Sequence, residues 1–366
     1  MIISHNFDIV KEIDKDCTDM KSVIICEFNP LHTGHKRLLD FAATFSDEVI
    51  CVMSGNFTQR GMPACCNKYK RALHALKAGA HLVVELPTIY ATAPAENFAL
   101  GGVSIANKLQ ADFLVFGSEC GDIHKLNQCA NLLQDGDVNA EIRRHLAAGK
   151  TYPKAVSDAV GTDILQKPNN VLAVEYLRAL KKTNSCIKPI TLRREDNYNG
   201  APQQFASSSA LRTDKNLRKE FSFDFVSSDI NDEVEQIYCD FAVKFLSTLD
   251  KQDLQQIAGV SEGLHNRIFN ADKTQGFEHF MTQIKTKRYT WLKLQRIVLN
   301  SILGVTTDKQ QLSVKTTPLA NALAVKKDKA YLLALTDKET DDVTKKADRL
   351  YAVLEGCKER HTLVKL

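Results

Sequence analysis

The 366-residue chain is short of several things that would have narrowed its class at once. No apolar stretch reaches the length of a membrane span, which excludes a spanning helix. The first residues, 1–21, mix charges with apolar side chains and hold no signal-peptide core; they read as a loosely attached N-terminal extension. Net charge is only +4, which permits a nucleic-acid partner without arguing for one. There are ten cysteines but no Cys-x-x-Cys pair: Cys65 and Cys66 are adjacent, and Cys26, Cys51, Cys129, Cys186 and Cys239 lie in apolar or helical patterns, where a thiol acts as a small hydrophobe. No metal site is expected from them, and reduced thiols point to the cytoplasm. Internal repeats and low-complexity segments are also missing.

What is present is an ordinary hydrophobic fraction, 44%, and a length suited to one very large domain or two ordinary ones. The first half alternates continuous apolar runs with segments of helical periodicity. Strands are expected at 23–26, 48–53, 81–86, 112–116 and 189–194, with helices at 34–45, 69–78 and 95–109 and a helical stretch over 122–182 broken at Gly149 and at Lys167-Pro168. Continuous rather than alternating apolar strands mean both faces are covered, so the expected fold class is α/β: a Rossmann-like, doubly wound parallel sheet. Beyond Thr213 the periodicity is helical. The expected organisation is therefore an extension (1–21), a sheet domain (22–212) and a mainly helical domain (213–366).

Polar segments gather after the strands, at the edge where open parallel sheets bind ligands. After the first strand comes Glu27-Phe-Asn-Pro-Leu-His-Thr-Gly-His35. Here the glycine admits close backbone approach, a helix N-terminus favours anions, and His32 and His35, three apart, face one bound group. Imidazoles so placed suit stabilising the charge that develops when pyrophosphate leaves an α-phosphate. Asn29 and the backbone after it are expected on the adenosine or phosphate side. Ser207-Ser208-Ser209 followed by Leu211-Arg212 opens a helix, and Ser208 and Arg212 offer a hydroxyl and a guanidinium to phosphate oxygens; a plain serine cap explains the serines equally. Arg193 and Arg194 close a strand, where arginine matches planar anions. Asn169 and Asn170 either read a nucleoside or cap a helix. Glu27 and Glu119 stand at strand ends, suited to placing magnesium or orienting an attacking group. Arg60 and Lys68 add positive charge near that edge. The segment 285–296 carries five cations and no acid, with Tyr289 and Trp291 interleaved, so Lys285, Lys287 and Arg288 are expected to contact RNA. An amphipathic helix with Trp291 and Leu294 in its core fits the same pattern.

The histidine motif with Ser207-Ser-Ser-Ala-Leu-Arg212 resembles the nucleotidyltransferase superfamily. More narrowly, the chain is similar to the tRNA(Met) cytidine acetate ligases. The similarity is carried by Glu27-Phe-Asn-Pro-Leu-His-Thr-Gly-His35, Met53-Ser-Gly-Asn-Phe-Thr-Gln-Arg-Gly61, Val84-Glu-Leu-Pro87, Phe116-Gly-Ser-Glu119, Pro168-Asn-Asn-Val-Leu172 and Lys285-Thr-Lys-Arg-Tyr-Thr290. The resemblance implies ATP-dependent activation of acetate to acetyl-adenylate, with Mg2+ as the expected companion ion. It further implies acetyl transfer to the N4 amine of the wobble cytidine of elongator tRNA(Met). It places ATP against Ile25, Cys26, Glu27, Phe28, Asn29, Pro30, Leu31, His32, Thr33, Gly34, His35, Lys36, Arg37 and Leu38, with Gly117, Asn169 and Arg194. The chain departs from the pattern at Tyr198-Asn199, where tyrosine-histidine is expected, and at Lys68-Tyr69, where lysine-tryptophan is. On the residues alone two other readings stand beside this one: an adenylyltransferase for a small metabolite, and a non-catalytic RNA-binding relative.

Overall fold

The computed structural model describes residues 19–150, 152–194, 207–357 and 362–366. The first eighteen residues of the expected extension and the Tyr198-Asn199 departure lie outside the described residues. Seven strands form one sheet: β1 (Lys21–Cys26), β2 (Glu48–Ser54), β3 (Leu82–Leu86), β4 (Phe113–Ser118), β5 (Lys188–Arg193), β6 (Ala322–Val325) and β7 (Val364–Lys365). Their order is β5-β4-β1-β2-β3-β6-β7. The first five run parallel, with Ile24 opposite Cys51 and Val23 opposite Leu114. Every residue of β2 and of β3 is buried, which is why their sequences read as unbroken apolar runs.

Helices α1 (Thr33–Ala42), α2 (Lys68–Lys77), α3 (Ala95–Lys108) and α4 (Pro168–Lys182) belong to this half. Expected to reach 45, α1 ends at Ala42 because the chain tightens there: Phe45 N–H donates to Ala42 O, and the Ser46 hydroxyl donates to the same carbonyl. Phe45 is apolar because its ring meets Phe113 edge-on at 5.3 Å, not because the helix continues.

The C-terminal part contains α5 (Ser208–Thr213), α6 (Val234–Leu246), α7 (Phe277–Ile284), α8 (Trp291–Leu303) and α9 (Asp342–Leu354). It has its own core, with Tyr238, Phe280, Ile284, Leu294 and Tyr351 buried together. The division drawn at Thr213 does not bound the sheet, however. Strand β6 lies beyond it and pairs antiparallel with β3, and β7 pairs with β6. Phe57 and Met62, from the segment after β2, sit inside the helical core. A strand of four residues, like β6, carries too little periodicity to be told from the helices around it.

Candidate active site

Chain order reverses at β1, since β2 and β3 extend the sheet to one side and β4 and β5 to the other. The strand C-termini flanking β1 therefore open a crevice, the usual ligand position in such sheets. The histidine segment follows β1, Gly117 and Glu119 end β4, and Arg194 follows β5.

His32 is the N-cap of α1 and is 2% exposed; its Nδ1 accepts from the Gly34 N–H at 3.1 Å. Serine, threonine or an Asx residue is the favoured cap, so a histidine here gives up some helix stability. An imidazole that accepts at Nδ1 carries its proton on Nε2, leaving that N–H to donate outward. The rings of His32 and His35 stack with centroids 3.7 Å apart, and Phe28 tilts against His35 at 5.0 Å. Burial, with the Arg194 guanidinium second, pushes His32 down to about 4. Burial, His32 and Arg194 together hold His35 well below the usual imidazole range. Both rings are thus neutral at physiological pH. His35 Nδ1 and Thr33 Oγ1 are buried with no hydrogen-bond partner among the described residues. Orphan polar atoms at a helix start are costly unless a ligand meets them.

The segment around these rings is fixed from several sides. Asn29 Oδ1 accepts from Cys65 N–H at 2.7 Å and Asn29 O from Arg212 Nη1 at 2.8 Å, so the Asn29 side chain holds the loop rather than facing a nucleoside. Ile25, Phe28 and Leu31 have buried side chains in the core. Lys36 pairs with Asp40. Ser207 caps α5, accepting from Ala210 N–H, and Ser208 is half-buried beside it. Ser209, which periodicity does not single out, joins two guanidiniums: its Oγ lies 2.6 Å from Arg60 Nη2 and 3.2 Å from Arg212 Nη2. Arg71 is wholly buried and donates to the carbonyls of Glu27, Ser54, Gly55 and Cys66. It ties the ends of β1 and β2 to α2.

On the other flank, a Cβ at Gly117 would stand 3.2 Å from Arg194 Cγ, so glycine leaves the strip along which Arg194 runs. Both Glu119 oxygens are engaged: Oε1 accepts from the Asn169 side chain at 2.8 Å and Oε2 from Asn170 N–H at 2.8 Å, capping α4 where its dipole is positive. Asn170 Oδ1 accepts from Cys120 N–H. Among the described residues no cluster of three His, Cys, Asp or Glu is disposed to hold a metal.

Lys68 requires a correction. Expected to offer positive charge to a substrate at the ligand edge, it is 1% exposed, with Nζ 2.8 Å from both oxygens of Glu85 and 2.6 Å from Asp348 Oδ2. Burial works against its charge, yet the two carboxylates hold it above the ordinary lysine value. It staples α9 to the sheet and presents nothing to a macromolecule. Lys285 and Lys287 are exposed as expected, and Arg288 pairs with Glu262. Tyr289 is unavailable for stacking on a base; it is buried, its hydroxyl donates to Ser261 O, and Lys293 lies over its ring. The basic segment meets the site through Gly61. That residue has φ +75°, and a Cβ there would lie 2.6 Å from Arg296 N, so the middle of α8 rests directly on the backbone next to Arg60.

Paired imidazoles at the helix that opens a switch-point crevice define a nucleotidyltransferase. Residues 20–355 match the family described as HIGH Nucleotidyl Transferase. A Thermotoga maritima protein, TmcAL, crystallised with alpha-thio ATP, superposes with a TM-score of 0.83 at 26% identity, over 94% of this chain and 99% of its own. The tRNA(Met) cytidine acetate ligase of Clostridium acetobutylicum is 35% identical over 77% of this chain and 78% of its own length. That of Caldicellulosiruptor bescii is 35% identical over 86% and 84%. The chain belongs to the tRNA(Met) cytidine acetate ligase family and is a ligase.

Proposed function

We propose that this ligase uses ATP to convert acetate to acetyl-adenylate and passes the acetyl group to the N4 amine of the wobble cytidine of elongator tRNA(Met). The observation that carries the reading is the stacked, neutral His32–His35 pair at the start of α1, with His35 Nδ1 and Thr33 Oγ1 unpartnered beneath it. Acetate alone is a poor acyl donor because its leaving group would be oxide; a mixed anhydride with AMP supplies a good one. Forming it is mainly a matter of holding the carboxylate in line with the α-phosphate and stabilising the charge that moves to pyrophosphate. In this scheme neutral imidazoles give directed hydrogen bonds, while Arg194, Arg212 and Arg60 supply the positive charge. The unpartnered Thr33 hydroxyl and the α1 N-terminus meet phosphate oxygens. Gly117 and Asn169, on the far side of the crevice, flank the nucleoside, and Ser208 stands with Arg212 on the phosphate side. Magnesium would arrive with the triphosphate and offset its charge, and no protein carboxylate is assigned to it. The family name of the relatives supports tRNA as acceptor, and the exposed Lys285 and Lys287, with Arg60 next to the Gly61 contact on α8, suit a phosphate backbone.

The test is pyrophosphate exchange into ATP with purified protein, followed by mass spectrometry of tRNA incubated with ATP and acetate. Acetate-dependent exchange and an acetylated cytidine are expected. Exchange that requires a phosphorylated metabolite instead would identify a small-molecule adenylyltransferase, and tRNA binding without exchange a non-catalytic relative.

A further inference from the structure

The scheme above leaves one group at the crevice without a task, the carboxylate of Glu27. It follows the last residue of β1 and is half-buried. Its Oε1 accepts from Gln59 N–H at 2.7 Å, while Oε2 is neither bonded nor sealed from solvent among the described residues. The other carboxylates nearby are spent: Glu119 gives both oxygens to the α4 cap, and Glu85 and Asp348 hold Lys68. Gln59 directly precedes Arg60, which shares Ser209 with Arg212, so the Glu27 side chain lies where the histidine loop, the segment after β2 and the Ser-Arg helix meet.

We propose that Glu27 is the proton acceptor of acetyl transfer. This rests on the ligase reading above. The cytidine N4 lone pair forms a bond to the acetyl carbon, the bond from that carbon to the AMP oxygen breaks, and AMP leaves with the electron pair. The proton from N4 goes to Glu27 Oε2. An exocyclic amine is nearly non-basic and gives up its proton only as the new bond forms, so a base within hydrogen-bond reach is what this step lacks. Burial raises the Glu27 carboxyl above its ordinary value, opposed by the Gln59 N–H and by Arg71, Arg60 and Arg212; Cys26 and Tyr176 are the other titratable neighbours. A carboxylate so placed is a stronger base than one in water.

Glu27→Gln is the informative variant in the full-length protein, because the amide oxygen still accepts from Gln59 N–H and keeps the loop in place. We expect acetyl transfer to tRNA to fall by about 10²–10³ more than acetate-dependent pyrophosphate exchange does. The transfer rate of the unaltered enzyme should rise with pH along a limb that the variant lacks. Glu27→Asp, which keeps the base one methylene short, should transfer faster than Glu27→Gln. Equal losses in the two half-reactions, or transfer at the original rate, would overturn the assignment. An unaltered enzyme without acetate-dependent exchange would instead bring down the ligase reading on which it rests.

Discussion

A histidine normally switches charge near pH 6.5, and an enzyme that relies on it usually shows that switch in its rate. His32 should not. Burial and the neighbouring Arg194 push it down to about 4. At pH 5.5 an ordinary imidazole is roughly 90% protonated, whereas one titrating at about 4 is roughly 3% protonated. Acetate-dependent pyrophosphate exchange should therefore lose no activity to imidazole protonation between pH 8 and 5.5. A fall centred near 6.5 that disappears in His32→Gln would refute the buried, neutral pair. The same displacement has a stability side. The folded-state value lies below the unfolded one, so the group stabilises the fold above pH 6.5 and that contribution is lost as pH falls through about 4. From 6.5 to about 4 it amounts to about 3 kcal/mol. Thermal unfolding from pH 7 to 4 should show a shallower acid loss for His32→Gln than for the unaltered chain. Removing a ring altogether tests its role in the reaction: His35→Ala should slow exchange by about 10²–10³, with little change in ATP affinity. Equal losses in rate and affinity would argue against a transition-state role.

Three other outcomes follow from the packing. Lys68→Met leaves Glu85 and Asp348 facing each other without a cation and should cost about 3–5 kcal/mol in urea unfolding at pH 8. Burial pushes Glu85 up to about 7 even with Lys68 opposing it, and loss of the cation raises it further, so the variant's carboxyl takes up a proton above pH 7 and the defect should shrink as pH falls from 9 towards 7; a pH-independent defect would contradict this. Gly61→Ala, at φ +75° and against the backbone of Arg296, should destabilise by about 2–5 kcal/mol and loosen the basic segment; a neutral result by calorimetry would deny the close approach. Replacing Lys285, Lys287 and Arg288 by alanine should weaken tRNA binding and reduce its log–log salt slope by about 2, measured by filter binding; an unchanged slope would remove the segment from the interface.

The strands of the first half were legible because burial on both faces demands unbroken apolar runs, and β1 to β5 lie within two residues of where those runs place them. The histidine motif was legible for a different reason: a polar, glycine-containing break after a buried apolar run marks a strand-to-helix turn, and His32 caps the helix that follows. Side-chain partners were another matter. Lys68 sits in a string of cations, and nothing local distinguishes a cation that faces water from one that will meet Glu85 and Asp348, 17 and 280 residues away. Asn29 and Glu119 look like ligands in sequence, but each already has its hydrogen bonds inside the protein.

Local physics, then, determined the α/β class, the succession of its parallel strands and the helix start that His32 caps, since periodicity and helix starts are properties of neighbouring residues. Only the tertiary structure decided which charges remain available. Return of the chain beyond Thr213 to add β6 and β7 to the sheet, the burial of Lys68, and the freedom of one Glu27 oxygen all depend on contacts between residues far apart in sequence. Whether a polar group is spent or free is settled by what folds against it, and that partner is not written beside it.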